Sequence, residues 1–295
     1  MTSLPKHQLV LGCLAVAAVT LVGCSDNDDD IDRLSGRLDT LENQPFNLRI
    51  LHMNDHHSHL EAESLDYDVS GLGVTTLDGG GNPVSEVSVT YGGFPMLVSL
   101  FETLEGGARN VLKLHAGDAV TGTLYFTLFN GAADAAMMNQ VCFDAFALGN
   151  HEFDKGDSGL ATFLDELRAG ACDTPVLAAN VVPASTSAIV SGFIRPYVIK
   201  QFGSESVGII GIDIAQKTKQ SSRPDAGTTF LDETTTAQQN IDTLKAAGVD
   251  KIVLMTHYQY ANDLQLAANL SGVDVIVGGD SHTLLGDSTF TALGF

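Results

Sequence analysis

Residues 146–156, FALGNHEFDKG, decide how this chain is read. An apolar run, Phe143 to Leu148, has the composition of a buried strand and stops at Gly149. Asn150, His151, Glu152 and Asp154 follow within five positions. A strand that belongs in a core therefore ends in side chains that hold metals or move protons.

The same pattern recurs along the chain. Of nine histidines, His7 lies in an apolar N-terminal segment. The other eight are His52, His56, His57, His59, His115, His151, His257 and His282. Each lies inside or beside the carboxyl end of one of five strand-like runs. Those ends read ILHMNDHHSH (50–59), LKLHAGD (112–118), FALGNHEFD (146–154), VLMTH (253–257) and VIVGGDSH (275–282). Histidines scattered for structural reasons would not sort this way.

Between the strands lie helical patterns at 95–104, 131–140, 159–169, 234–248 and 260–270. PVLAANVV (175–182) reads as a further strand. FIRPYVIKQF (193–202) and SVGIIGIDI (206–214) read as a strand pair joined through Gly203. Residues 71–90 read as a surface hairpin about a turn from Asp78 to Pro83. Strands alternating with helices, several of them near-continuously apolar, predict an α/β fold with a buried, largely parallel sheet. In such sheets the carboxyl ends of the strands open onto one crevice, where ligands bind. Segments distant in sequence then converge.

Together the ends supply Asp55, His57, Asp118, Asn150, His151, Asp154, His257, Asp280 and His282. Imidazole, carboxylate and amide oxygen in this mixture suit Zn, Mn, Co or Fe. The set is too rich in histidine for a Ca or Mg cage. It also exceeds what one ion needs, and two ions sharing a carboxylate would use it. The totals agree. The chain has 295 residues, 44% of them hydrophobic, enough for one large core. A formal charge of −21 argues against a nucleic-acid polymer as partner, since phosphate backbones are held by Lys and Arg. An acidic protein that handles an anion needs cations to reverse the local field.

The N-terminus reads as a leader. Lys6 and His7 precede a run from Leu9 to Val22 that is apolar but for Thr20. It is shorter than the roughly 20 residues that span a bilayer. Leu21-Val22-Gly23-Cys24 resembles a bacterial lipoprotein signal box, which makes 1–23 a leader and Cys24 the lipid-bearing residue. An uncleaved apolar anchor is the other reading. Ser25 after the cysteine points to the outer membrane, facing periplasm or cell surface. Residues 24–45 hold the acidic SDNDDD linker, then Ile31, Leu34, Leu38 and Leu41 at helical spacing, which either join copies in a stalk or pack on their own domain. Cys142 and Cys172 remain, as a disulfide or as two separate thiols.

The order Asp-x-His, Gly-Asp, Gly-Asn-His-Glu, Thr-His, Gly-Gly-x-Ser-His resembles the calcineurin-like metallophosphoesterases, and within them the secreted 5′-nucleotidase group. YGGFP (91–95), TPVLAANV (174–181) and KQSSRP (219–224) are similar to that group as well. The likeness covers about 46–295. It implies a four-layer αββα sandwich with the site at its rim and two divalent ions. By the resemblance Asp55, His57 and His282 bind the first ion, Asp118 bridges, and Asn150 and His257 bind the second. Asp280 stands where a histidine ligand of the second ion is expected. His151 and Asp154 match the catalytic pair, and Glu152 is expected to make a structural contact. His52 and His115 are expected to pack. His56 and His59 are expected either to support a ligand or to be solvated. Tyr125 and Phe126 are given no role.

The activity implied is hydrolysis of phosphate esters, with nucleotides foremost. A cyclic-nucleotide phosphodiesterase, a nucleotide-sugar hydrolase or a sulfur-ester hydrolase fits the same motifs. A non-catalytic metal- or ligand-binding lipoprotein is favoured by Asp280 alone. The strand-like pattern running to Phe295 suggests a piece of a longer protein, whose C-terminal domain would recognise the base.

Overall fold

The structure is a computed structural model that describes residues 45–73, 75–190 and 192–286. The expected leader, Cys24, the acidic stretch and its apolar stripe lie outside the described residues, as do 287–295.

In chain order the elements are β1 (Arg49–Met53), β2 (Ala62–Asp68), β3 (Thr76–Leu77), β4 (Pro83–Val84), β5 (Glu86–Gly92) and α1 (Phe94–Glu105). Then come β6 (Val111–His115), α2 (Leu124–Phe129), α3 (Ala132–Val141), β7 (Ala145–Ala147), a 3-10 turn (His151–Phe153) and α4 (Gly156–Ala169). β8 (Val176–Leu177), β9 (Val181–Val182), β10 (Ile194–Arg195), β11 (Tyr197–Phe202), β12 (Glu205–Asp213) and α5 (Ala215–Ser221) follow. β13 (Thr229–Phe230), α6 (Glu233–Ala246), β14 (Lys251–His257), α7 (Tyr260–Asn269) and β15 (Val275–Val277) complete the order.

Two sheets carry the fold. One runs β1-β6-β7-β8-β10 with every pair parallel. The other runs β11-β12-β14-β15, parallel except for β11 against β12. β12 is buried without interruption from Val207 to Asp213, as a strand covered on both faces must be. The sheets are tied where Ala179 N–H donates to Gly211 O at 2.7 Å and Asn180 Nδ2 donates to Asp213 O at 2.7 Å. Gly211 permits this approach, because a Cβ there would lie 2.5 Å from that of Leu177.

Helices cover the outer faces. Leu160, Phe163, Leu164 and Leu167 repeat at helical spacing on α4 and join Phe94, Phe101, Met138 and Phe146 over the first sheet. Ile241 and Leu244 of α6 and Leu266 of α7 cover the second. Asp232 caps α6, its side chain accepting from Thr235 N at 2.8 Å. The order helix, sheet, sheet, helix is the four-layer α/β sandwich that the family resemblance implied.

Several boundaries differ from expectation. FIRPYVIKQF is two strands: β10 closes the first sheet and β11 opens the second, with Pro196 between them. Proline has no N–H for a ladder, so the run breaks there and changes sheet. PVLAANVV divides into β8 and β9. The expected hairpin about 78–83 is the short pair β3–β4, and a longer ribbon, β2 against β5, encloses it. The helices α2 and α5 are short and escaped the periodicity reading. Cys142 and Cys172 form a disulfide, with Cα atoms 5.2 Å apart, which closes the alternative of separate thiols.

Candidate metal centre

The five histidine-bearing ends meet at one rim. β1 delivers Asp55 and His57, β6 Asp118, β7 Asn150 and His151, β14 His257, and β15 Asp280 and His282. Three ligand sets lie within 4.8 Å internally: Asp55, His57 and His282; His57, Asp118 and His151; Asp55, Asp118 and His257. Asp118 Oδ2 is 2.9 Å from His257 Nε2 and 3.8 Å from His57 Nε2. Asp55 Oδ1 is 3.2 Å from His282 Nε2 and 3.7 Å from His57 Nε2. Asp280 Oδ1 lies 3.5 Å from His257 Nε2 and 3.2 Å from a terminal amide atom of Asn150.

The backbone is bent to achieve this. Ten non-glycine residues have positive φ among the described residues, and Asp55, His57, Asp118, Asp280 and His282 make up half of them. Each such residue costs roughly 1–3 kcal/mol and persists only where its surroundings hold it. Glycines make the approach possible. Gly117 has φ +93°, and a Cβ there would sit 2.6 Å from His257 Nδ1; a Cβ at Gly149 would collide with the Asp118 carboxylate.

The donor chemistry fits divalent cations. His57 Nδ1 lies 3.0 Å from Thr121 O, and His257 Nδ1 lies 2.8 Å from Ala116 O. A carbonyl accepts only from N–H, so these contacts assign the proton to Nδ1 in the neutral rings. Both Nε2 lone pairs then point at carboxylate oxygens. Asp55 Oδ1, His257 Nε2 and Asp280 Oδ2 are buried without an aligned hydrogen bond. Lone pairs converging in a buried space repel one another unless a cation lies among them. Burial opposes charge on His257, but Asp118 and Asp280 outweigh it and raise its pKa well above the ordinary value. His57 moves the same way, burial again being overcome by Asp55 and Asp118. Burial also opposes ionisation of Asp55, yet His57 and His257 hold its pKa below the usual carboxylate range.

His151 stands beside this cluster, its ring centroid 5.1 Å from that of His57. Its N–H donates to Asp118 Oδ1 at 2.8 Å, and its Nδ1 lies 2.7 Å from Asp154 Oδ2. Asp154 raises the His151 pKa against the effect of burial.

Supporting residues are equally explicit. Glu152 is buried and accepts from the backbone N–H groups of Gly149 (2.7 Å), Asp118 (3.0 Å) and Ala119 (2.8 Å). It pins the two loops that carry Asp118 and Asn150 to each other, the structural contact expected of it. Burial, then the nearby Asp118, push its pKa up to about 7. Asp134 of α3 was missed. Its carboxylate is fully buried, accepts from Ser58 Oγ at 3.1 Å and meets His56 Nε2 at 3.3 Å, so it anchors the loop of Asp55 and His57. An acid inside the otherwise small and apolar run GAADAAMM was its one sequence signal. His56 thus supports the ligand loop, and His115 packs between Phe143 and Phe146 with Nε2 2.9 Å from His56 Nδ1. His59 is exposed beside Glu63. Asp213 ends β12 opposite His257 and accepts from Thr218 Oγ1 at 2.8 Å; burial pushes its pKa up to about 8.

Known proteins place the chain. The family model for calcineurin-like phosphoesterase matches residues 48–284. The NAD 5′-nucleotidase of Haemophilus influenzae is 41% identical over 246 residues, covering 83% of this chain and 38% of that protein. The solved structure of the H. influenzae NAD nucleotidase superposes with a TM-score of 0.73 at 40% identity, covering 84% of this chain and 45% of that one. A 5′-nucleotidase precursor from Thermus thermophilus gives a TM-score of 0.69 at 40% identity, covering 82% and 43%. The chain spans about two fifths of the length of the curated relatives it matches. It belongs to the calcineurin-like phosphoesterase family.

Proposed function

We propose that this chain hydrolyses phosphate esters, nucleotides foremost, at two divalent ions that share Asp118. The observation that carries the proposal is the single oxygen Asp118 Oδ2 facing the Nε2 lone pairs of His57 and His257, one on each side of the centre. Asp55, His57 and His282 complete one half, and Asn150, His257 and Asp280 the other. The mixed nitrogen and oxygen donors suit Zn, Mn, Co or Fe. Held by these residues, divalent ions would supply Lewis-acid polarisation of a phosphoryl oxygen and a water made nucleophilic near neutral pH. His151, its pKa raised by Asp154, can place positive charge beside the phosphoryl group, where charge grows in the transition state. The names of the relatives favour a nucleotide over the other esters.

The same reading places the chain outside the cytoplasm, anchored through lipid on Cys24. The leader-like residues 1–24 support it, as does the disulfide, which persists in oxidising compartments. Cell fractionation with mass spectrometry of the mature N-terminus tests the address. Activity is tested on the full-length protein with AMP, NAD, UDP-glucose and bis-p-nitrophenyl phosphate, with added Mn or Co. His151→Asn should abolish turnover and leave bound metal unchanged. No hydrolysis of any of these esters by the metal-loaded protein would overturn the proposal and leave a binding protein in its place.

A further inference from the structure

We propose that Lys217 is the counter-charge of Asp280 and sets which cation the second half of the centre accepts. The inference rests on the dinuclear reading above and concerns the position where this chain departs from the resembling group.

A carboxylate in place of a neutral imidazole adds a negative charge to a centre that already contains Asp55 and Asp118. The change cannot be hidden by moving the side chain. Asp280 is held at φ 75°, its N–H donates to Asp55 Oδ2 at 2.9 Å, and its carboxylate is fully buried. The structure answers with a lysine from another element. Lys217 projects from α5 and its Nζ forms an ion pair with Asp280 Oδ1. That oxygen is the one facing His257 and Asn150, while Oδ2 is buried without a partner.

Lysine and aspartate together are neutral, as the expected imidazole is. The ammonium also occupies a lone pair of Oδ1, so the carboxylate offers an ion less than its full capacity. Without Lys217 the half-site would carry one more negative charge and a carboxylate free to bind through both oxygens. Those are the features of sites for hard cations such as Ca2+, which favour several oxygens and bidentate carboxylates. With Lys217 in place the half-site keeps the mixed character that suits Mn, Co or Zn. The half-exposed lysine lines an open depression of about 610 Å3 together with Gln216, Tyr258 and Asn262. Its replacement leaves no hole in the core.

The test is calorimetric titration of the metal-free, full-length protein with Mn2+ and with Ca2+, for wild type, Lys217→Met, Lys217→Arg and Asp280→His, and for Lys217→Met combined with Asp280→His. Lys217→Met should tighten Ca2+ about tenfold and Mn2+ less than threefold, while Lys217→Arg stays near wild type. With histidine at 280 the lysine change should alter neither ion by more than about twofold, because there is no carboxylate left to balance. An unchanged Ca2+ to Mn2+ ratio in Lys217→Met overturns the inference, and so does the same shift in the histidine background. Lys217→Gln, read identically, replaces Lys217→Met if the latter does not fold. Wild-type protein that binds neither ion would instead sink the dinuclear reading itself.

Discussion

His151 Nδ1 lies 2.7 Å from Asp154 Oδ2, three residues further along the turn that leaves β7. The short turn brings the two together, so the ring is oriented by its own segment rather than by a distant one. Nδ1 is committed to Asp154, and on the proposed reading Nε2 would be left for the substrate. The contact also raises the pKa of His151 above its ordinary 6.5. A group with a raised pKa keeps its proton as pH climbs past the ordinary value.

Asp154→Asn should therefore lower kcat by about ten- to a hundredfold, because an amide orients the ring without stabilising its charge. The basic limb of the pH profile should move to lower pH, since the proton is lost sooner. Metal content should stay at the wild-type value. A profile whose basic limb does not move would show that imidazolium at 151 is not required.

Much of this centre was legible because its chemistry is concentrated where strands stop. Histidine is rare enough that eight at five strand ends is a pattern, and parallel strands bring their carboxyl ends to one side. Asp134 and Lys217 were not legible. Each acts from a helix on a residue of the centre's loops far away in sequence, 76 residues for Asp134 and Ser58, and 63 for Lys217 and Asp280. Nothing in local periodicity records a partner at that distance. The break at Pro196 was visible as a residue but not as a change of sheet, because apolar composition is the same in both sheets.

Glu152 is the brace between the Asp118 and Asn150 loops, through three backbone N–H groups. Glu152→Gln keeps the volume but turns an amide NH2 toward groups that also donate. Leaving a buried backbone N–H without its acceptor costs about 1–3 kcal/mol, so the loss should be of that order in a urea melt. Metal affinity should fall with it, since Asp118 loses its fixed position. Wild-type stability together with wild-type metal affinity would show that the brace is dispensable.

Removing the ions should destabilise the fold. The centre gathers buried carboxylate and imidazole donors, and an ion that binds only the folded state shifts the equilibrium toward it. At an ion concentration about a hundredfold above Kd the gain is about 2.7 kcal/mol per ion. Thermal melts after chelation should show a lower Tm, restored by adding back Mn or Co. A Tm indifferent to chelation would mean that no ion is held at this rim.

Asp263 on α7 gives a pH signature beside the centre, one residue removed from His257 through Thr256. Burial pushes its carboxyl up to about 6, although Thr256 Oγ1 donates to Oδ1 at 2.7 Å. Between the unfolded value near 4 and that folded value, the native state binds the extra proton. Stability from this group is therefore present at the acid end of the window and lost as pH rises through it. Asp263→Asn removes the charged form. It should be neutral near pH 4 and stabilising by about 1–2 kcal/mol near pH 7, allowing for partial solvent screening. Urea melts at the two pH values check this, and equal effects at both would refute it.

The disulfide sets the last expectation. Cys142 follows α3 and Cys172 follows α4, and the bond closes a loop of 30 residues that contains β7, His151 and all of α4. Constraining a loop of that length in the unfolded chain contributes about 3–4 kcal/mol on the chain-entropy model. The His151 turn lies inside the loop but is held natively by Glu152 and Asp118, not by the sulfurs. Reduction, or Cys142→Ser with Cys172→Ser, should therefore lower the urea midpoint by several kilocalories' worth of stability. kcat should change little at temperatures where the protein stays folded. If reduction abolished turnover before the melt began, the loop would have to be positioned by the disulfide, and the bracing role given to Glu152 would be wrong.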